Sequence, residues 1–261
     1  MTIWKHELRT GRVSLLIWSG AIAFLLAVCV LIYPEMAGQM EEMSETFSQM
    51  GSFSQAFGMD KLNFGEFIGF FGVECGNVLG LGGALYAALT GITALSKEEG
   101  EHTAEFLLTH PVSRQRVVAE KLCAVLTQIV LLNIVTAAVT VLCIAAIGES
   151  PDMKTMLLLF LAYFIMQIEI AAVCFGISAF LGRGGIGIGL GLAAVFYFLN
   201  IIANLTEKAQ FLKYVTPFGY TESADIITEG CLEGKYLAVG ALFILAGAAA
   251  AFIRYMKKDI V

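Results

Sequence analysis

The stretch LSKEEGEHTAEFLLTHPVSRQRVVAEKL, residues Leu95–Leu122, is a charged run between two long apolar segments. The chain around it is 58% hydrophobic and only 15% charged, with a mean hydropathy of +0.79. Soluble domains carry about a quarter of their residues as Asp, Glu, Lys and Arg, so this composition lies outside their range. The bilayer is therefore the predicted solvent, and the charged run connects two membrane spans.

Apolar runs of about 20 residues, the length that crosses the hydrocarbon core as a helix, recur along the chain. The predicted spans are Leu15–Tyr33, Phe67–Ala94, Leu122–Ile147, Leu157–Leu181, Ile186–Leu205 and Leu237–Tyr255. They predict an all-α integral membrane protein with six transmembrane helices, forming a single domain over residues 1–261. Its outer segments are residues 35–65 and 206–235, and its loop between the second and third spans is residues 96–121.

Lys and Arg are unevenly distributed between the predicted connections. With the N-terminus in the cytoplasm, the inner segments hold 11 of the 16 Lys and Arg residues. Because cytoplasmic loops carry the excess of these residues, both termini and the loop 96–121 are predicted to face the cytoplasm. The net charge of −6 then averages an acidic outer and a basic inner side, and indicates membrane lipid rather than nucleic acid as a partner.

Two segments beside the first span show helical periodicity. In the N-terminal segment, Trp4, Leu8 and Gly11 share one stripe. Such a stripe is typical of a helix lying in the membrane interface, or of a flanking segment with an aromatic anchor. The architecture predicted here has the interfacial helix. After the span, Met36 and Met40 recur at helical spacing and predict a helix on the outer surface.

Glycines are frequent within the spans. Gly72, Gly76 and Gly80 recur at every fourth position, as do Gly187 and Gly191. This spacing lets membrane helices approach each other closely. It predicts tight helix packing, either within the chain or across a dimer.

Capping signals divide the charged run into two helices. Ser96 followed by Glu99 forms a capping box, and Glu98 and Glu99 favour the N-terminus of a helix. Pro111 ends that helix, and Ser113 is a suitable cap for the next. The run is thus predicted as helix, break, helix, which is a more rigid element than a simple tether requires.

Residues that catalysis would need are missing from the chain. No GxxxxGK[ST] motif occurs, so no P-loop is predicted. All histidines and aspartates lie outside the predicted spans, which disfavours an intramembrane protease. We predict that this chain is not an enzyme and has no catalytic residue, no metal site and no cofactor of its own.

Glu74 and Glu169 are the acidic residues inside the predicted hydrocarbon. A charge at the centre of a span costs about 2.5–3.5 kcal/mol on insertion scales, so such residues usually face a cavity, a partner or water. Glu74 lies near the outer interface, whereas Glu169 lies near the middle of the fourth span. Both are candidates for the translocation pathway or a dimer surface. For Glu169 the alternative is a protonated or hydrogen-bonded structural role.

At the charged run the chain resembles the permease subunits of type-2 ATP-binding-cassette (ABC) exporters. The corresponding loop of that family typically reads like EE..GT.EFLL..PVSR..I...K, and KEEGEHTAEFLLTHPVSRQRVVAEKL is similar along its whole length. The resemblance extends to six spans and to a Y.TPF.Y segment before the last span. That segment is matched by Tyr214, Thr216, Pro217, Phe218 and Tyr220.

The resemblance implies that Lys97–Pro111 is a cytoplasmic coupling helix seated in a cleft of a separate ATPase subunit. The ATPase would bind ATP and Mg²⁺, and two permease copies, in a homodimer or a similar heterodimer, would form the pathway. Carried over by position, the residues at the ATPase contact are Glu98, Glu99, Gly100, Glu105, Phe106, Pro111, Ser113 and Arg114, and the outer turn holds Pro217, Phe218 and Tyr220.

The resulting hypothesis is an ATP-driven exporter permease of the cell membrane, placed in the bacterial cytoplasmic membrane. Apolar spans with few polar groups favour a hydrophobic or amphiphilic cargo such as a peptide or drug. Two alternatives belong to other classes. One is a secondary carrier or channel acting without an ATPase, which predicts inverted repeats and more intramembrane ionisable groups. The other is a membrane-anchored sensor or assembly factor, which predicts larger outer domains.

Overall fold

The computed structural model of the protein describes residues 2–49, 51–56, 61–97, 112–182 and 185–258, and all regular structure in these ranges is helical. The elements in chain order are α1 (Thr2–Gln49), α2 (Ser52–Ala56), α3 (Phe67–Cys75), a π-helical segment (Gly76–Gly80), α4 (Leu81–Thr93), α5 (Arg114–Ile147), α6 (Met153–Ser178), α7 (Ile186–Leu205), two 3-10 helices (Glu207–Tyr214 and Pro217–Tyr220), α8 (Ser223–Glu229) and α9 (Gly234–Lys257).

Six stretches of the described chain are helical, long and apolar enough to cross a membrane, which confirms the predicted fold class. They are Thr2–Gln39, Phe67–Thr93, Arg114–Ile147, Met153–Ser178, Ile186–Leu205 and Gly234–Lys257. The fifth has the predicted bounds. The third begins eight residues earlier than the apolar run because Ser113 caps it: the Ser113 hydroxyl accepts the Arg116 N–H at 3.3 Å.

The first helix differs from the prediction. Helix α1 is unbroken from Thr2 to Gln49, so the N-terminal segment continues the first span and is not a separate interfacial helix. The helix also continues past Pro34 into the predicted outer segment, where a separate surface helix was expected. The N-terminal stripe faces helix α5 instead of the membrane interface, since a Cβ on Gly11 would lie 2.8 Å from Gln128 Oε1. Periodicity shows that a stripe exists but does not show what it packs against.

Helix α6 is the centre of the bundle, and glycines bring its neighbours close. A Cβ on Gly91 of α4 would overlap the Ala171 carbonyl, and one on Gly247 of α9 would overlap the Ala172 carbonyl. The predicted glycine stripe at the start of the second span also packs within the chain, where Gly76 and Gly80 lie against the ring of Tyr163. Close backbone approach of this kind is what small residues permit in membrane helices.

The glycines of α7 behave differently. A Cβ added to Gly187 or Gly191 would meet no described atom within 4 Å. The same helix exposes Val195, Phe198 and Ile202. This face of α7 is therefore unpacked in the single chain.

We expect Gly91→Ala to destabilise the protein by about 1–3 kcal/mol, because the added methyl group meets the backbone of α6 rather than a side chain that can rotate. Gly20→Ala is the matched control, since a Cβ at Gly20 meets nothing within 4 Å and alanine has the better helix propensity. Thermal unfolding of the detergent-purified variants, followed by size-exclusion chromatography, measures both. An equal melting temperature for the two variants would contradict the packing argument.

Candidate functional site

The two ends of the charged loop are joined at its base by one lysine. Lys121, at the loop end of the third span, donates from Nζ to the Ala94 carbonyl at 2.7 Å and to Glu7 Oε1 at 2.8 Å. Ala94 follows the last residue of α4, and Glu7 belongs to α1. The Lys121 side chain is only 1% exposed. One buried ammonium therefore connects the first, second and third spans where the loop leaves the bundle.

The neighbouring residue Glu120 holds the start of α1. Its Oε2 accepts the backbone N–H groups of Ile3 at 2.9 Å and Trp4 at 3.1 Å. Its Oε1 accepts from Arg116 Nε at 2.8 Å. The first N–H groups of a helix have no partner within the helix, and a carboxylate there also complements the helix dipole. We call Glu7, Ala94, Glu120 and Lys121 the base clamp.

Arg114 extends these contacts to the last span. Its Nη1 donates to the Lys258 carbonyl at 2.7 Å and to the Met256 carbonyl at 3.3 Å, at the C-terminal end of α9. Lys258 in turn donates from Nζ to the Leu181 carbonyl at 2.9 Å, just beyond α6. The last carbonyls of a helix have no N–H partner within the helix, and here cationic side chains bind them instead. Polar contacts join five of the six spans at the loop end of the bundle.

Of the predicted ATPase contacts, Ser113 and Arg114 are described, as the cap and first residue of α5. The others, namely Glu98, Glu99, Gly100, Glu105, Phe106 and Pro111, lie outside the described residues, so the coupling helix remains a prediction. The base clamp itself was not predicted as a site. The sequence feature that could have indicated it is the group Arg116, Glu120 and Lys121. These residues place three charges inside a helix that continues directly into an apolar span.

A cavity of about 450 Å³ lies next to the base clamp. It is bounded by α1, α4, α5 and the start of α7. Its wall carries the charges of Glu7, Lys97 and Lys121, hydroxyl groups and Gln128, together with apolar side chains. Its lining includes Thr10, Ser14, Leu89, Thr90, Thr93, Val125 and Ile186. The cavity thus offers charged, polar and apolar surface side by side.

Near the middle of α6, Glu169 is tied to the predicted outer turn. It is 2% exposed and accepts a hydrogen bond from the Tyr220 hydroxyl at 2.7 Å. A Cβ on Gly240 of α9 would lie 2.5 Å from its Oε2, so the carboxyl group fits against a glycine. This geometry favours the hydrogen-bonded structural alternative for Glu169 over a place on an open pathway.

The outer turn is a buried 3-10 helix, Pro217–Tyr220. The Thr216 hydroxyl accepts the Phe218 N–H at 3.3 Å, and the missing N–H of Pro217 falls where no partner is needed. Gly219 is required by space, because a Cβ there would overlap the Lys213 carbonyl. The turn thereby presents Tyr220 to Glu169.

Glu74, the second predicted intramembrane acid, is partly buried near the outer start of the second span. The Cys29 thiol of α1 donates to its Oε2 at 3.6 Å. Glu74 and Glu169 do not share a contact among the described hydrogen bonds, so the structure does not bring them together as one site.

The described residues define a polytopic helical membrane protein that carries a charged loop on a rigid polar base. A sequence model of the family described as ABC-2 family transporter protein matches residues 1–260, and the chain belongs to this family. It is accordingly a membrane permease subunit of an ABC transporter, and ATP hydrolysis is the task of a separate ATPase subunit. A search of curated proteins finds no match to the chain.

We expect Lys121→Met to loosen the loop end of α1, because it leaves the Ala94 carbonyl and Glu7 without the buried ammonium. An unpaired buried polar group costs about 1–3 kcal/mol. Hydrogen–deuterium exchange of the backbone from Thr2 to Gly11 should become faster, measured by mass spectrometry. Lys5→Met, an exposed lysine of the same helix, is the control. Unchanged protection in Lys121→Met would show that the clamp does not hold the helix.

We expect Tyr220→Phe to lower stability by about 1–3 kcal/mol, because the Glu169 carboxyl loses its described hydrogen bond. Tyr214→Phe, a change of the same kind at a partly exposed ring, is the control. Glu169→Gln keeps an acceptor oxygen and should retain both stability and transport. Loss of transport by a stable Glu169→Gln protein would instead place Glu169 in the pathway.

Proposed function

We propose that the chain is the export permease of an ATP-driven transporter and carries a hydrophobic or amphiphilic compound, such as a peptide or drug, out of the cell. It acts as a dimer in the bacterial cytoplasmic membrane, with ATP and Mg²⁺ bound by the partner ATPase. The observation that carries this proposal is the base clamp. A chain whose sequence has no P-loop must receive work from its ATPase through a mechanically firm contact, and the base clamp ties the loop that would make this contact to three spans.

The clamp supports a specific route for that work. A displacement of the loop 98–111 acts on α4 and α5, the helices from which the loop leaves and to which it returns. Because Lys121 bonds both Ala94 and Glu7, a displacement of the loop base moves α1 as well. ATPase closure changes the inward and outward populations only if it binds the two states differently. Because the clamp joins three spans, the position of the docked loop would differ between the inward and outward states, and the ATPase could then bind the two states differently.

The cavity beside the clamp supports the cargo class. Its volume of about 450 Å³ lies within the range of small-molecule sites. Charged and hydroxyl-bearing side chains near Lys121 suit a polar head, while Leu89, Val125 and Ile186 suit an apolar tail. Its place at the loop end suits uptake from the side on which the ATPase docks. That side is the cytoplasm in the orientation given by the Lys and Arg distribution.

The open face of α7 supports a second permease copy. Gly187 and Gly191 have free space around them, and small residues at this spacing let helices of different chains approach. Val195, Phe198 and Ile202 would extend the contact along the same helix. In the proposed dimer this face meets the partner permease, and the remaining apolar surface meets lipid.

The test has two stages, performed on the permease expressed together with a candidate ABC ATPase. First, affinity purification in detergent compares the wild type with the double variant Glu99→Arg and Glu105→Arg. The ATPase should accompany the wild type and be lost from the variant, because two charge reversals oppose docking at the loop. The matched control reverses two exposed glutamates elsewhere, Glu149→Arg and Glu229→Arg, and should keep the ATPase.

Second, inside-out vesicles containing the complex should accumulate a fluorescent amphiphilic peptide when ATP and Mg²⁺ are added, and should not do so with the docking variant. Transport by the purified chain alone in liposomes would favour a secondary carrier. Loss of ATPase binding in both double variants would show that the effect is not specific to the loop.

A further inference from the structure

A second polar cavity lies at the end of the bundle opposite the base clamp. It has a volume of about 60 Å³ and is bounded by α2, α3, the π-helical segment, α6, α7 and the residues before α8. That volume accommodates a few water molecules or one ion with some of its hydration. The polar side chains on its wall include Asn77, Tyr163, Asn200, Glu222 and Ser223.

Glu222 is the acidic group of this cavity. Its Oε2 accepts from Asn204 Nδ2 at 2.7 Å and from Asn200 Nδ2 at 3.5 Å, both on α7. A carboxylate offers about four lone-pair positions, and these two contacts both fall on one oxygen. Burial raises the pKa of Glu222, and the Asn204 hydrogen bond and the charge of Lys213 offset only part of that rise. A positive charge in the cavity would relieve the cost of this carboxylate.

One amide oxygen and two hydroxyl groups complete the polar wall that the described contacts define. The Asn200 Oδ1 atom is buried and has no hydrogen-bond partner among the described residues. The Tyr163 hydroxyl donates to the Thr221 carbonyl at 3.1 Å, and the Ser223 hydroxyl donates to the Gly72 carbonyl at 2.6 Å. The two hydroxyl oxygens also lie 3.0 Å from each other. The Glu222 carboxylate and the buried Asn200 Oδ1 are oxygen atoms of the kind that hard cations bind.

The backbone around Asn77 is irregular in a way that marks such sites. Asn77 is the second residue of the π-helical segment Gly76–Gly80, which interrupts the second span. Single π-helical turns within α-helices occur frequently at functional sites. Gly72 and Gly76 also let Ser223 and Tyr163 approach this segment, since added Cβ atoms would lie 3.1 Å and 3.0 Å from them.

The lysines nearby have another partner. Asp225 pairs with Lys61 at 3.0 Å and with Lys213 at 3.3 Å. Burial raises the pKa of Asp225, but the hydrogen bond from Lys61 and the charge of Lys213 outweigh it, so the pKa lies below the ordinary value. Asp225 is therefore ionised and balances these lysines. Lys213 is thereby engaged outside the cavity, and Glu222 has no described ion pair of its own.

We propose that this cavity binds a monovalent hard cation, Na⁺, through the carboxylate of Glu222 and the amide oxygens of Asn200 and Asn77. A single carboxylate with neutral oxygens balances one positive charge, whereas Ca²⁺ sites generally collect more carboxylates. The ion joins the π-helical segment of the second span, the fifth span and the start of α8. It stabilises the closed packing of this end of the bundle, independently of the ATPase and of the cargo.

The test uses the full chain purified in detergent without any ATPase, so that its result is separate from the docking experiment. Thermal unfolding is compared in NaCl and in choline chloride at equal ionic strength and at about pH 8, where the proton competes least. Na⁺ should raise the melting temperature of the wild type saturably, by about 2–5 °C. The increase should disappear in Glu222→Gln and persist in Glu229→Gln, an exposed glutamate of the same segment.

Binding of ²²Na⁺ in a scintillation proximity assay gives a second readout that does not depend on Glu222→Gln being folded. The wild type should show saturable binding, and Asn77→Ala, a change at an exposed residue, should weaken it about three- to tenfold. Equal melting in Na⁺ and choline, no saturable ²²Na⁺ binding, or an unchanged Na⁺ effect in Glu222→Gln would overturn the proposal. A stabilisation by Ca²⁺ with none by Na⁺ would overturn the assignment to a monovalent ion.

Discussion

The ammonium group of Lys121 is the constraint on which the loop end of the bundle depends. A buried lysine without partners would be strongly unfavourable, so its two described acceptors must be held where they are. One acceptor is the carbonyl of Ala94 and the other is Glu7, and they belong to different spans. Burial of one charge therefore forces three helices into a single arrangement. Helix packing in lipid has no hydrophobic drive between helices, which gives such polar contacts more influence than their number suggests.

Carboxyl groups instead organise the segment between the fifth and sixth spans. Glu169 receives the Tyr220 hydroxyl, Asp225 receives Lys61 and Lys213, and Glu222 receives two asparagine amides. Glu169 and Glu222 attach this segment to α6 and α7, and Asp225 pairs it with Lys61 ahead of the second span. The two regions thus differ in kind: lysine and arginine side chains bind helix-end carbonyls at the loop end, and carboxyl groups accept hydroxyl, amide and ammonium donors in this segment. Between them, glycines of α4 and α9 bring the backbones onto α6.

The charged side chains of this membrane bundle are few, and most of those with described contacts are paired. Lys121 and Arg114 meet backbone carbonyls, and the two intramembrane acids meet a thiol and a hydroxyl: Glu74 accepts from Cys29, and Glu169 accepts from Tyr220. Charged side chains placed without such partners would oppose insertion of the span. The arrangement also separates two tasks. In the proposed function the loop end receives a mechanical input, and in the proposed cation site the cavity at the other end offers the oxygens of Glu222 and the asparagines.

The sequence alone determined the six spans, the fold class and the family, because these depend on the length and apolarity of local runs and on a motif of contiguous residues. Ser113 as a helix cap was predictable for the same reason, since capping chemistry acts over a few residues. Tertiary structure alone decided the rest. The start of α1 is held by Glu120, more than 100 residues away, and the clamp joins Glu7 to Lys121 across a similar separation. The partner of Glu169 and the convergence of Asn77, Asn200 and Glu222 likewise depend on which helices are neighbours. Periodicity along a chain carries no information about contacts between faces that are distant in sequence.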